Sequence, residues 1–161
     1  MRALFLMRHG QAEGSAPGGD PERRLTKEGA RGVEAAARAM GRMRLVPDVI
    51  WHSPYVRAEE TAALVAKELK AGRLSAVEEL VPHGAATKVA DRLIEEAPTR
   101  LLVVSHLPLL PELVAELLGV PLRIDLSTAS LVHLTLLSGG RSRAAAFLSG
   151  FYPGEPLSRL G

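Results

Sequence analysis

The clearest signal in the sequence lies at residues 3–10, which read Ala3-Leu4-Phe5-Leu6-Met7-Arg8-His9-Gly10. Five consecutive apolar residues ended by a polar break predict a short, buried strand. Arg8 and His9 follow that strand directly, and Gly10 permits a tight turn or the close approach of a ligand. The pattern therefore predicts a basic pair at the carboxyl end of a buried strand.

A second strand of the same kind is predicted at residues 47–51. Ser53 and Pro54 follow it, and a serine cap with a first-turn proline predicts the start of a helix that runs to about residue 70. Arg57 then falls in the first turn of this helix. A basic residue is again expected just beyond the end of a strand.

A third such junction follows the apolar run at residues 100–104, where Ser105 and His106 come next. In open α/β sheets, ligands bind at the edge formed by the carboxyl ends of the strands. We therefore expect four basic side chains to meet at one edge of the sheet, namely Arg8, His9, Arg57 and His106.

The remaining segments predict helices at residues 26–43, 85–96 and 108–118, a weaker strand at 75–80, a hairpin from 131–137 and 143–148, and an irregular tail from residue 152. Thr26 is the predicted cap of the first helix, and Gly119 the predicted stop of the last. Strands that alternate with helices indicate an α/β fold, here a three-layer α/β/α sandwich with a mostly parallel central sheet. Since no linker or repeat is present, we expect one domain spanning residues 1–161.

The composition excludes several classes of protein. The 161 residues include no cysteine, which excludes disulfides, thiolate metal sites and cysteine nucleophiles. The net charge is only +2, with no long block of like charge, so a nucleic-acid-binding surface is not expected. The apolar run at residues 3–7 is too short for a signal-peptide core or a membrane span. We expect a soluble, cytoplasmic monomer without membrane or nucleic-acid partners.

The residues expected at the sheet edge suit phosphoryl chemistry without a metal. A cation in the first turn of a helix opposes the helix dipole by about 0.3–1 kcal/mol, so Arg57 indicates a bound anion, although an ion pair with Glu60 or another acid is the alternative. His9 and His106, each taken alone, are equally consistent with a structural role. Together, the arginines would neutralise phosphoryl oxygens, one histidine would attack, and the other would donate a hydrogen bond. A metal site from His9, His106 and His83 is disfavoured because the arginines would repel the metal.

Three ordered motifs resemble those of the histidine phosphatase superfamily, which includes the cofactor-dependent phosphoglycerate mutases. Arg8-His9-Gly10 is similar to the first motif, residues 53–61 to the second, and Ser105-His106 to the third. The resemblance covers nearly the whole chain. The short length and the stretch at residues 105–108 are most similar to the small phosphohistidine phosphatases of the SixA type. A phosphoglycerate mutase-like fold is therefore implied.

The resemblance also implies roles for the residues. His9 would form a phosphohistidine intermediate that water then hydrolyses, and Arg8, Arg57 and His106 would complete the phosphate pocket. No cofactor and no metal are implied. On the loop after His9, Gln11 and Ser15 are further candidates for contact with the substrate, or ordinary polar loop residues.

The chain departs from the family pattern at the general acid. Many members place an acid shortly after the second motif, whereas Glu78 and Glu79 lie near that position without matching it. Glu79 is the candidate acid, with a strand-edge glutamate as the alternative. A missing acid would suit a phosphohistidine substrate, because imidazole departs more easily than an alkoxide. The short chain also leaves little room for a lid, which fits a substrate carried on a protein.

These features predict a phosphatase that acts on phosphohistidine in a phosphotransfer protein through a covalent intermediate on His9. One alternative is a phosphomonoesterase acting on a sugar or nucleotide phosphate, which a working acid at Glu78 or Glu79 would favour. A mutase is a weaker alternative. A non-catalytic phosphate-binding or phosphoprotein-binding module on the same fold is the alternative from another class.

Overall fold

Six strands form one continuous sheet in a computed structural model that describes residues 1–137 and 145–154. The strands are β1 (Arg2–Arg8), β2 (Val49–His52), β3 (Arg73–Ala76), β4 (Arg100–Ser105), β5 (Leu131–Leu136) and β6 (Ala146–Tyr152). Their order across the sheet is β3-β2-β4-β1-β5-β6. The pairs formed among β1 to β4 are parallel. The pairs of β5 with β1 and with β6 are antiparallel, so the sheet is mostly parallel, as predicted.

Helices cover both faces of this sheet and give the predicted three layers. They are α1 (Lys27–Arg42), α2 (Val56–Leu69), α3 (Ala86–Glu96) and α4 (Leu109–Leu118), with short 3-10 helices at Asp20–Glu22 and Glu78–Leu80. Phe5 and Met7 of β1 pack in the same apolar cluster as α1 and α2. Leu4 and Leu6 alternate with them and pack with α3 and α4. Within the described ranges, no helix is long and apolar enough to cross a membrane.

The predicted helix ends at Thr26 and Gly119 are confirmed. The Thr26 hydroxyl accepts a hydrogen bond from the Gly29 N–H at 2.9 Å, which satisfies one free donor at the start of α1. Gly119 follows α4 in the left-handed region, with φ 69°. Local sequence therefore determines where these two helices start and stop.

The predicted start of α2 is wrong by two residues. The helix begins at Val56, with Tyr55 at the cap position, so Ser53 and Pro54 lie in the link before it. The Ser53 hydroxyl still accepts a hydrogen bond from the Tyr55 N–H at 3.2 Å. It caps the turn into the helix rather than the helix itself.

The predicted strand at residues 75–80 is also misplaced. Pairing with β2, which starts at Val49 opposite Arg73, sets β3 at Arg73–Ala76, and residues 78–80 form a 3-10 helix. The C-terminal hairpin is confirmed but shifted, because its second strand extends to Tyr152, which was predicted to be irregular. Residues 143–144 of the predicted hairpin and residues 155–161 of the predicted tail lie outside the described residues.

The topology places a switch point at the carboxyl ends of β1 and β4. These strands are neighbours, but the chain leaves β1 toward α1 on one face and β4 toward α4 on the other. The connecting loops therefore run to opposite faces of the sheet. Ligands of open α/β sheets bind at such a switch point.

Candidate active site

The three strand ends that carry the predicted residues lie side by side. Arg8 pairs with Ser105 in the register of β1 and β4, and the His9 N–H donates to the Ser105 carbonyl at 3.1 Å. The Ser53 N–H donates to the Val104 carbonyl at 3.1 Å, which places the end of β2 at the same edge. The sheet therefore fixes the backbone at all three positions.

His9 is a buried histidine in a defined tautomer. Its Nδ1 lies 2.7 Å from the carbonyl oxygen of Gly10. Because a carbonyl only accepts hydrogen bonds, Nδ1 carries the proton and Nε2 keeps its lone pair. Burial, followed by the charges of Arg57 and Arg8, lowers the pKa of His9 to about 4. The ring is therefore neutral at neutral pH, with Nε2 available as a nucleophile.

Arg57 lies against this nucleophilic nitrogen. Its Nε–H donates to Nε2 of His9 at 3.2 Å, and its side chain is only 6% exposed. The guanidinium carbon lies 5.0 Å from the ring centre of Tyr55, a cation–π contact. The outer nitrogens bond to Asp20, since Nη1 donates to its backbone carbonyl at 2.8 Å and Nη2 to its carboxylate at 3.2 Å. Arg57 therefore does form an ion pair, as the structural alternative predicted, but its partner is Asp20 rather than Glu60. Arg57 is nevertheless buried and also contacts His9.

Thr61 joins the loop after His9 to the helix that carries Arg57. Its hydroxyl accepts from the Gly10 N–H at 3.1 Å and donates to the Arg57 carbonyl at 2.7 Å. The side chain is fully buried. One hydroxyl therefore links the backbone beside the predicted nucleophile to the backbone of the predicted phosphate-binding arginine.

His106 completes the cluster on the other side of His9. The two imidazole rings lie 5.0 Å apart, and the Tyr55 ring lies 5.1 Å from His106. The Nε2 atom of His106 and the Ser53 hydroxyl form a hydrogen bond of 2.7 Å. Burial, followed by His9 and Arg57, lowers the pKa of His106 to about 3, so this ring is also neutral.

Arg8 brings a second guanidinium to the same strand end. Its Nη1 donates to the Leu126 carbonyl at 2.8 Å, and burial lowers its pKa although the Asp125 carboxylate opposes this. Across residues 1–137 and 145–154, the Nε of Arg8 and the Nδ1 of His106 are the buried side-chain polar atoms that lack a hydrogen-bond partner. Unpaired buried polar atoms are rare in proteins, and both lie on predicted site residues.

Among the other predicted residues, the side chains of Gln11 and Glu79 bond to residues outside this cluster. The side-chain amide oxygen of Gln11 accepts a hydrogen bond from the Thr26 hydroxyl at 3.2 Å. The backbone carbonyl of Gln11 packs so closely on Gly29 that a Cβ atom added to Gly29 would clash with it. Ser15 is exposed on the same loop. The Glu79 carboxylate bonds to Arg92 of α3 at 2.8 Å, and Glu78 begins the 3-10 helix after β3. The structure brings together Arg8, His9, Arg57 and His106, and the proposed substrate contacts of Gln11 and Ser15 and the acid role of Glu79 stay predictions.

Sequence reasoning missed Asp20 and Tyr55 as neighbours of the site. Tyr55 lies inside the second motif, between Pro54 and Arg57, so its position along the chain was a usable signal. Asp20 lies on a loop whose path depends on tertiary contacts, and only its spacing from Arg23, to which it bonds at 2.8 Å, hinted at order. The described part of the chain contains no group of three or more His, Asp and Glu side chains placed to hold a metal ion.

Comparisons with known proteins identify the family of this chain. The model of the histidine phosphatase superfamily (branch 1) matches residues 4–81. A phosphohistidine phosphatase SixA homolog of Haemophilus influenzae is 36% identical over 151 residues, covering 86% of this chain and 90% of the relative. Phosphohistidine phosphatase SixA of Escherichia coli is 32% identical, covering 85% of this chain and 87% of the relative.

A solved structure of a SixA protein has a similar fold. The structure of the protein histidine phosphatase SixA complexed with tungstate has a TM-score of 0.85 and 28% identity, over 94% of this chain and 96% of that chain. Fold, site and relatives together define a phosphatase, and the chain belongs to the histidine phosphatase superfamily. Within that superfamily it is similar to the SixA-type members.

Proposed function

We propose that this phosphatase hydrolyses phosphohistidine on a phosphotransfer protein, through a covalent intermediate on His9 and without a metal ion. The state of His9 carries the proposal, because the bond from Nδ1–H to the Gly10 carbonyl leaves Nε2 unprotonated. Burial lowers the pKa of this ring to about 4, so the nucleophilic form predominates at neutral pH. The relatives named phosphohistidine phosphatase support the substrate class.

In the first step, the Nε2 lone pair of His9 forms a bond to the phosphorus atom of the substrate. The bond from phosphorus to the substrate imidazole breaks, and its electron pair leaves with that ring. The hydrogen bond from Nδ1–H to the Gly10 carbonyl stabilises the positive charge that His9 acquires as its Nε2 becomes bonded. In the free chain the Nε2 lone pair accepts a hydrogen bond from the Nε–H of Arg57 at 3.2 Å, so attack requires that this N–H move from Nε2 to a phosphoryl oxygen of the bound substrate.

The unpaired buried nitrogens of Arg8 and His106 support binding of an anion at this place. Both nitrogens belong to side chains beside His9 and lack a partner among the described residues; the Nε–H of Arg8 needs an acceptor, and Nδ1 of His106 needs one when the Ser53 hydroxyl donates to Nε2 of that ring. Phosphoryl oxygens are strong acceptors. Tungstate, the ligand of the similar SixA structure, is a tetrahedral oxyanion like phosphate.

In the second step, water attacks the phosphorus atom of phospho-His9. A phosphorus–oxygen bond forms, the bond to Nε2 breaks, and His9 recovers its lone pair as the neutral ring. The proton that the water loses passes to solvent or to a phosphate oxygen, and inorganic phosphate is the product. The two arginines stabilise the charge on the phosphoryl oxygens in both steps.

The contact of Glu79, the candidate general acid, with Arg92 favours phosphohistidine over an alkyl phosphate as the substrate. When the second ring nitrogen of the substrate is protonated, its imidazole departs as a neutral ring and needs little further proton donation. An alkoxide leaving group would need an acid. Glu79, the candidate acid, is bonded to Arg92 on α3.

The test compares turnover of a phosphohistidine peptide and of an alkyl phosphate ester, with a chelator present, in the parent chain and a His9→Ala variant. We expect the parent to hydrolyse the phosphohistidine peptide despite the chelator, and His9→Ala to lose this activity. Samples quenched in base should show a phosphoryl adduct on His9 by mass spectrometry. The control is His133→Gln, which changes a histidine that packs on Phe5, away from the site.

Each part of the proposal has its own contrary result. Activity that disappears with chelator would exclude the metal-independent mechanism. Activity that survives in His9→Ala would exclude the covalent intermediate. Faster turnover of the ester than of the phosphohistidine peptide would favour the phosphomonoesterase alternative.

A further inference from the structure

The side chain of Asp20 bonds directly to Arg57, one of the two arginines of the candidate site. It begins the 3-10 helix Asp20–Glu22 on the loop between β1 and α1. Its Oδ2 accepts from Nη2 of Arg57 at 3.2 Å, and its Oδ1 accepts from Nη1 of Arg23 at 2.8 Å. The carboxylate therefore bridges a buried arginine of the site and an arginine of the loop.

The two ends of this bridge differ in their surroundings. The Asp20 side chain is 51% exposed, whereas that of Arg57 is 6% exposed. A half-exposed carboxylate contributes little to stability through an ion pair, so stability is a poor explanation for its position. Hydrogen bonds and charge from Arg23 and Arg57 lower the pKa of Asp20, which keeps it ionised at neutral pH.

The position of Asp20 conflicts with binding of a phosphoryl group. A phosphorus atom attacked by Nε2 of His9 lies beside Arg57, because the Nε of that arginine is 3.2 Å from the attacking nitrogen. The outer nitrogens of the same guanidinium already donate to Asp20, Nη2 to its carboxylate at 3.2 Å and Nη1 to its backbone carbonyl at 2.8 Å. Of these two acceptors, only the carboxylate carries a charge. Inorganic phosphate at neutral pH is a mixture of its singly and doubly charged anions, so it and the carboxylate repel each other and compete for the same donors.

We propose that Asp20 competes with phosphate for Arg57 and thereby weakens the binding of the inorganic phosphate product. The inference rests on the proposed function, in which Arg57 binds the phosphoryl group beside His9. During the reaction the phosphoryl group is held by a covalent bond, so the competition acts chiefly on free phosphate after hydrolysis. Arg23 offers Asp20 a second cation, which lets the carboxylate leave Arg57 without losing both partners.

The experiment is isothermal titration calorimetry with inorganic phosphate at neutral pH and fixed ionic strength. Asp20→Asn removes the charge and nearly preserves the shape, and Asp20→Ser is a second variant that also shortens the side chain. We expect both to bind phosphate about three- to tenfold more tightly, which is the order of magnitude for removing one neighbouring charge from a half-exposed, water-screened position. The inhibition constant of phosphate should fall by a similar factor, whereas the KM for a phosphorylated substrate should change less.

Glu22→Gln is the matched control, because it removes one negative charge from the same 3-10 helix without touching Arg57. Its affinity for phosphate should equal that of the parent. Unchanged or weaker phosphate binding in both Asp20 variants would overturn the inference and show that the carboxylate merely holds Arg57 in place. Equal gains in Glu22→Gln and Asp20→Asn would also overturn it, since only the general charge of the loop would then matter.

Arg57→Gln separates this inference from the proposed function. If the parent binds phosphate and Arg57→Gln does not, the site is established, and the Asp20 variants test the competition alone. If the parent hydrolyses the phosphohistidine peptide but the Asp20 variants show no gain, only the competition fails. If the parent binds no phosphate and has no activity, both proposals fail together.

Discussion

Replacing Thr61 by valine tests whether one buried hydroxyl positions the predicted nucleophile. Valine keeps nearly the same volume but removes the acceptor for the Gly10 N–H and the donor to the Arg57 carbonyl. The Arg57 carbonyl lies within α2, so the main loss is at Gly10, whose N–H is left buried without a partner. Such a group costs about 1–3 kcal/mol.

This cost translates into two measurable effects. For a chain of this size, each kcal/mol lowers Tm by about 2–4 °C. Gly10 also carries the carbonyl that orients the His9 ring, so misplacement of the nucleophile should lower kcat/KM about ten- to a hundredfold. Thermal unfolding followed by circular dichroism and turnover of a phosphohistidine peptide measure the two effects.

Thr61→Ser is the matched control. It keeps the hydroxyl and loses one buried methyl group, which costs about 1 kcal/mol in transfer and packing. We expect the serine variant to retain activity at a slightly lower Tm, and the valine variant to lose activity. A valine variant as active as the serine variant would refute the reasoning, because the hydroxyl would then not position His9.

Two further predictions concern protonation and the candidate acid. Because the pKa of His9 is about 4 in the folded chain and near 6.5 when unfolded, its imidazole should titrate by NMR far below pH 6.5; a midpoint near 6.5 would contradict the buried, neutral nucleophile. The unfolded chain then binds protons that folded His9 and His106 do not, so the free energy of unfolding should fall as pH drops from 6.5 toward 4, which urea titrations at several pH values would show. Glu79→Gln should leave kcat for the phosphohistidine peptide within about twofold, because the carboxylate bonds to the surface residue Arg92 and not to a residue of the site. Loss of this surface ion pair should also change the folding stability little. A loss of a hundredfold or more would instead restore Glu79 as the general acid.

The sequence was sufficient to predict which strand ends meet, because three apolar runs each end in a polar residue of unusual type. Parallel pairing then brings Arg8, Ser53 and His106 to one edge of the sheet, independently of the conformation of the loops. The cap at Thr26 and the stop at Gly119 were predictable for a similar reason, since each depends on a few neighbouring residues.

Features that depend on distant contacts were not predictable. The start of β3 is set by its register with β2, not by its own exposed residues. The bond between Asp20 and Arg57 depends on the path of a loop rich in glycine, which no local pattern specifies. Ser53 resembled a helix cap, but its partner His106 lies far along the chain, so its second hydrogen bond was invisible in the sequence.

The place of β1 in the sheet has a consequence for synthesis of the chain. The strand that ends beside His9 lies between β4 and β5, both encoded much later, and β4 separates it from β2. Residues 4–81, which match the superfamily model, therefore contain three strands but lack the strand that joins β1 to the other two. On the ribosome, the emerging first half must expose unpaired strand edges until β4 is translated, and such edges favour aggregation and chaperone binding. A fragment that ends after residue 81 should accordingly be insoluble when expressed alone, although it carries the nucleophile and Arg57.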